Sequence, residues 1–415
     1  MFNMSHDIIK VSRNTANAPQ SAHSTQTVAF SHYNNISAQL PVNPNTGDIV
    51  VGNIKAQAKQ CLTNIKAIIE SIGHVMDDMV KITLFVKNID DMDAIDEVYA
   101  TFFSAPLPTR TVVAVKALPL TDALVQMDAL ISNAEGTAPQ APCPLVKVSR
   151  DTQDAPTSAM STQTVAFSHY NNLSAQLPIE PTTGKLIAGD ITQQTKQCLN
   201  NIKAVLESIN HVMGDIVKTT IYLKDLADIA AVNEVCSTFF NSYVPARTIV
   251  NATELPMGAL VQIDTVVSHG DGTPPQPQED SRFIVIEASN TNNAPPAPYS
   301  HTVAFSHYNH VSGQLPIDAT TGEIVSADVT EQTKQCLNNI KAIIESVAHV
   351  MDDVVKVNIQ VANIEDMDAI DQVYSTFFKQ DLPARTVFAV STLPMGAQVQ
   401  IDAVISNCEG TPSQA

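Results

Sequence analysis

Long apolar runs, clustered cysteines and basic residues are all scarce in this chain, and each scarcity excludes something. No stretch approaches the ~20 consecutive apolar residues that a membrane helix needs, so no membrane partner is expected. The first residues, MFNMSHDIIKVSR, have neither a charged-then-apolar pattern nor a small-residue cleavage site, so no export signal is expected and the cytoplasm is the expected compartment. Six cysteines, Cys61, Cys143, Cys198, Cys236, Cys336 and Cys408, include no CxxC pair and no Cys/His cluster. Free thiols are therefore expected, with neither a metal site nor a cofactor. Only 23 basic residues stand against 42 acidic ones, a net charge of −19 that repels phosphate backbones at long range. No nucleic-acid partner is expected, and a ribonuclease is disfavoured.

What is present is 415 residues, 44% of them hydrophobic, several times the size of a common domain. The segment TVAFSHYNN at Thr27 returns at Thr164 and, as TVAFSHYNH, at Thr302, with spacings of 137 and 138 residues. The same offsets hold for Cys61, Cys198 and Cys336 in KQCL, for Phe103, Phe240 and Phe378, and for Arg110, Arg247 and Arg385. Self-similarity at a fixed period implies one structural unit used three times. Two stretches rich in proline, glycine and polar residues, 136–144 and 270–281, read as linkers. The expected domains are residues 6–135, 144–270 and 282–410.

Within a unit, IIKVSR (8–13) reads as a strand, followed by a hairpin containing TVAFSHYNNISAQLPV (27–42) with a turn at NPNTGD. Leu62, Ile65, Ile69 and Ile72 recur at helical spacing, which predicts an amphipathic helix over about 53–72. MVKITLFVK (79–87) alternates as a strand, and a second helix is expected over about 91–103, with acidic residues in its first turn where they suit the helix dipole. RTVVAVKAL (110–118) and ALVQMDALIS (123–132) close the unit as strands. The class is α+β, a mixed sheet with two helices on one face. TVVAV is apolar on both alternations, so the second face also needs cover. Three copies burying it against one another predict an intramolecular pseudo-trimer in a chain that is otherwise monomeric.

With APYSHTV (297–303), SGQLPIDATTGEI (312–324), KQCLNNIKAIIES (334–346), PARTVFAV (383–390) and LPMGAQVQIDAV (393–404) in this order, the unit resembles the RidA (YjgF) family. That resemblance implies three chorismate-mutase-like domains. It also implies hydrolysis of reactive enamines and imines of the 2-aminoacrylate type to 2-keto acids and ammonia, in clefts between units. Arg110, Arg247 and Arg385 match the family's carboxylate-binding arginine, a role that suits a planar guanidinium able to grip a carboxylate through two hydrogen bonds. Read from spacing alone, these arginines leave open a salt bridge repeated by duplication. Ser37, Ser174 and Ser312 match a serine that contacts substrate, with a strand-end hydroxyl as the alternative.

Three departures stand out. Where the family's deaminases place a glutamate on the last strand, this chain has Gln126, Gln262 and Gln400, which can orient water but cannot take a proton. Asp128, Asp264 and Asp402, two residues on, share that strand face and read as structural or as substitutes. The cleft tyrosine survives only as Tyr299, with Ser24 and Ser161 in the other copies, so the clefts are not chemically equivalent. Val112, Ile249 and Val387 replace a common cysteine, so no thiol chemistry is expected there. Cys61, Cys198 and Cys336 read as core residues. The histidines at 32, 169 and 307 read as hairpin residues, and those at 74, 211 and 349 as helix-end residues. Deamination, non-catalytic binding of keto or imino acids, and endoribonuclease activity remain, in that order.

Overall fold

The computed structural model describes residues 7–104, 106–241, 243–276, 281–287, 298–378 and 380–413. Residue 6, where the first domain was expected to begin, and 277–280 of the second linker lie outside them.

The first repeat runs β1 (Val11–Arg13), β2 (Thr27–Phe30), β3 (Tyr33–Gln39), α1 (Ile54–Ser71), β4 (Met79–Val86), α2 (Met92–Tyr99), β5 (Thr109–Ala114) and β6 (Val125–Ser132). Its six-stranded sheet has the order β1-β2-β3-β6-β4-β5. Every pairing is antiparallel except β4 with β5, which α2 joins as the crossover that parallel strands require. The second and third repeats build six-stranded sheets of the same order, so the whole is three α+β units, each a mixed sheet with two helices.

Both helices cover one face. Leu62, Ile65 and Ile69 of α1 and Ile95 and Tyr99 of α2 close on Ile82, Leu84, Val112 and Met127 of the sheet. Asn64 ties α1 to the loop after β3, donating to Leu40 O (3.1 Å) and Val42 O (2.9 Å), and Asn201 and Asn339 repeat the contact. The helix α2 was expected to reach residue 103 but ends at Tyr99. Its counterparts run on to Phe239 and Phe377. The run 27–42 folds back at Ser31 and His32, where Ser31, Ser168 and Ser306 each adopt φ 51°, and the turn at 43–48 is also present.

The other face is buried between repeats. Val113 belongs to a cluster with Phe85, Tyr222, Val250 and Phe388, while its neighbour Val112 lies in the helix-side core; this is why TVVAV is apolar on both alternations. Hydrogen bonds link the repeats in a closed cycle: Tyr33 donates to Phe167 O, Tyr170 to Phe305 O and Tyr308 to Phe30 O. The three tyrosine rings meet edge to face with centroids 6.0–6.2 Å apart. No described helix is long and apolar enough to cross a membrane.

Candidate functional site

The arginines open the fifth strand of each repeat, and that strand lies against the next repeat. Arg110 N–H donates to Ser174 Oγ (2.9 Å), Arg247 N–H to Ser312 Oγ (2.7 Å) and Arg385 N–H to Ser37 Oγ (2.8 Å). Each arginine therefore stands at a seam where two repeats meet: the first seam between repeats one and two, the second between two and three, the third between three and one. The serine hydroxyls are engaged twice, since each also donates to a carbonyl of its own repeat: Ser37 to Thr25 O (2.6 Å), Ser174 to Thr162 O (2.7 Å) and Ser312 to Ser300 O (2.6 Å). They hold the arginine backbone in place.

The glutamines come to the same seams. Gln126 donates to Val387 O (3.1 Å), Gln262 to Val112 O (3.1 Å) and Gln400 to Ile249 O (2.9 Å), in each case two residues beyond the arginine of the neighbouring repeat. Gln400 also donates to Gln360 Oε1 at 3.0 Å. The aspartates two residues on face a central cavity and are taken up there. Asp264 meets Lys81 and Thr111, and Asp128 meets Lys356 (3.3 Å) and Thr386 (2.5 Å). Asp402 accepts from Thr248 (2.9 Å) and Asn358 (2.7 Å). These partners account for the aspartates as structural residues.

The guanidinium groups differ between seams. Arg110 pairs with Asp96 through two contacts (2.5 and 3.4 Å), and Arg385 pairs with Asp371 (2.5 Å); both pairs are largely buried. Each of these arginines also lies over a tyrosine of its own repeat's second helix, Arg110 over Tyr99 at 5.2 Å and Arg385 over Tyr374 at 5.0 Å. The salt bridge left open by the spacing is thus present at two of the three positions.

In the second seam the corresponding residues are Asn233 and Cys236. Arg247 is 5% exposed, has no ion pair among the described residues, and its buried Nε is without a hydrogen-bond partner. The buried Oδ1 of Asn233 likewise has none. Arg247 lies over Tyr299 of repeat three, 4.7 Å from the ring centroid. Loss of hydration lowers the guanidinium's pKa and raises those of Tyr299 and Cys236. The thiol is thereby kept protonated and weakly nucleophilic.

Outer contacts differ as well. His23 of repeat one reaches Asp371 (3.6 Å) and Ser375 (3.3 Å) in the third seam, and Met160 packs onto the first repeat's core in the first seam. Cys61, Cys198 and Cys336 are buried core thiols, with burial raising their pKa. His32, His169 and His307 occupy the first hairpin turn, and His74, His211 and His349 pair with an aspartate four residues on. Among the described residues no group of three His, Cys, Asp or Glu side chains could hold a metal ion.

Sequence reasoning gave no site role to the residues at 96, 233 and 371 or at 99, 236 and 374, and read Cys236 only as a free thiol. The available signal was that DAIDEVY, AAVNEVC and DAIDQVY differ between copies on the side turned to the arginine.

A family model described as endoribonuclease L-PSP matches residues 15–132, 152–269 and 291–406. The RutC family protein y4sK of Sinorhizobium fredii is 43% identical over 124 residues, 29% of this chain and 98% of that protein. The human 2-iminobutanoate/2-iminopropanoate deaminase is 35% identical over 123 residues, 29% of this chain and 90% of that protein. The crystal structure of the YjgF gene product of E. coli is 33% identical, covering 29% of this chain and 97% of that one, with a TM-score of 0.27. Three matches in register with the three sheets place this chain in the RidA (YjgF) family, which it carries as three tandem copies.

Proposed function

We propose that this chain is an intramolecular pseudo-trimer that hydrolyses small 2-imino carboxylates, and the enamines that tautomerise to them, to 2-oxo acids and ammonia at a seam between repeats. One observation carries the reading: Arg247 is a buried cation at a seam with no anionic partner among the described residues. A buried charge is costly unless paired, so such a site favours an anion that brings its own carboxylate. Relatives named as deaminases of 2-imino acids supply the class of anion.

Bound by its carboxylate at Arg247, a protonated imine presents C2 to water. Water adds to C2 and loses a proton, and the carbinolamine then breaks its C–N bond, releasing ammonia and leaving a C2 carbonyl. The reaction consumes one water and requires no oxidant or metal. Gln400 holds the strand beyond Arg247 through Ile249 O and takes no proton, so binding and orientation are the chain's main contributions. Non-catalytic binding of keto or imino acids is the second reading, and the glutamine at all three positions favours it. Of the lysines that line the central cavity, Lys81 and Lys356 pair with Asp264 and Asp128 and Lys218 donates to Thr248 and Val311 O, so all three are taken up within the protein, which agrees with a small-molecule ligand. Free thiols among the described residues fit a reducing cytoplasm.

The test couples a threonine dehydratase, which releases 2-iminobutanoate, to a measurement of ammonia release. The wild-type chain is expected to accelerate release and Arg247→Ala to return it to the uncatalysed rate. No acceleration by the wild type would leave the binding reading alone.

A further inference from the structure

Three positions around the arginine differ between copies, and they differ together. In the first and third seams the second helix presents Asp96 with Tyr99, or Asp371 with Tyr374, and the facing repeat offers Ser161 or Ser24. In the second seam the helix presents Asn233 and Cys236, and the facing repeat offers Tyr299. An aspartate that pairs with the guanidinium occupies the place of an incoming carboxylate. Being held on a helix of the same repeat, it is present at a far higher effective concentration than a free metabolite.

Given that a seam arginine takes the ligand's carboxylate, as proposed above, we infer that this chain has one ligand-accepting seam, between repeats two and three. Asp96 and Asp371 are built-in carboxylates that close the other two. The second seam is the converse in each respect. Asn233 is close in size to aspartate but neutral, so it leaves the positive charge of Arg247 uncompensated. Its own Oδ1 and the Arg247 Nε are both buried and without hydrogen-bond partners among the described residues, so each leaves a polar group to be satisfied. Cys236 removes the ring that lies beside Arg110 and Arg385, and Tyr299 supplies a ring from the opposite repeat instead. The ligand class is a small 2-imino or 2-oxo monocarboxylate. Asn233 and Tyr299 are the positions that make the second seam unlike the others.

Calorimetric titration of the full chain with 2-oxobutanoate, the product of the proposed reaction, decides this. One equivalent per chain is expected. Asn233→Asp installs the pair that repeats one and three already carry, so the fold is retained and affinity is expected to fall roughly tenfold or more. Asp96→Asn, which frees Arg110, is expected to add a second equivalent. Three equivalents in the wild type, undiminished binding in Asn233→Asp, or no gain in Asp96→Asn would overturn the single-seam assignment while leaving carboxylate binding intact. No binding to the wild type would overturn both.

Discussion

Arginine buried at a seam calls for an anion: Asp96 and Asp371 supply it from within to Arg110 and Arg385, whereas Arg247 has no ion pair among the described residues. The same logic of unmet partners governs Gln400, whose amide donates to two acceptors, Ile249 O and Gln360 Oε1. Gln400→Glu places a carboxyl between those acceptors, where only its protonated form can donate, so its pKa is expected to rise. The variant should lower thermal stability by ~1–3 kcal/mol and raise kcat in the dehydratase-coupled assay, since it introduces a proton donor beside Ile249 O, two residues beyond Arg247. An unchanged rate would show that the proton does not limit turnover.

Buried histidines make the stability of the chain depend on pH. Burial pushes His310 down to about 3 and His307 to about 4 from an ordinary 6.5. Below pH 6.5 the unfolded chain takes these protons and the native chain does not, so stability falls with falling pH until the native values are reached. Replacing His310 with Asn, the residue that repeats one and two carry as Asn35 and Asn172, should make the acid limb of the unfolding free energy against pH, measured by denaturant titration, shallower by up to ~1.4 kcal/mol per pH unit. It should change little above pH 7. An unchanged acid limb would contradict this account of His310.

At the scale of elements, each long helix is fastened to its hairpin by one buried asparagine. Asn201 donates to Leu177 O (3.0 Å) and Ile179 O (2.9 Å). Asn201→Ala removes both bonds from half-buried carbonyls and should cost ~1–3 kcal/mol, read as a lower denaturant midpoint with an unchanged slope. A cost below measurement error would mean that water replaces the amide. The apolar stripe of α1 and the alternation of β4 were legible in the sequence because 3.6- and 2-residue periods are written directly in side-chain polarity. The insertion of β6 between β3 and β4 was not, since periodicity does not state which strands pair. The early end of α2 was hidden by Phe102 and Phe103, which pack onto the first repeat's core without remaining helical. Arg110 stood out through its repetition in an acidic chain. Its partner Asp96 did not, because it lies among Asp90, Asp91 and Asp93, which read as acids suited to a helix start.

For the whole molecule, the apolar second face of TVVAV correctly called for a partner, and the repeat period pointed to another copy of the same unit. Which repeat contributes which residue could not be read from the chain, because a repeat period does not state in which order the copies meet. The cyclic contacts bring the arginine of one repeat to the serine and glutamine of the next, so duplication preserved the seam's framework while Asn233, Cys236 and Tyr299 set one seam apart. The Arg247 guanidinium is predicted to hold the ligand's carboxylate. A crystal structure of the full chain soaked in 2-oxobutanoate tests it most directly. Carboxylate density is predicted within hydrogen-bond distance of the Arg247 guanidinium, with Arg110 and Arg385 still on their aspartates. Ligand density elsewhere, with Arg247 bare, would contradict it.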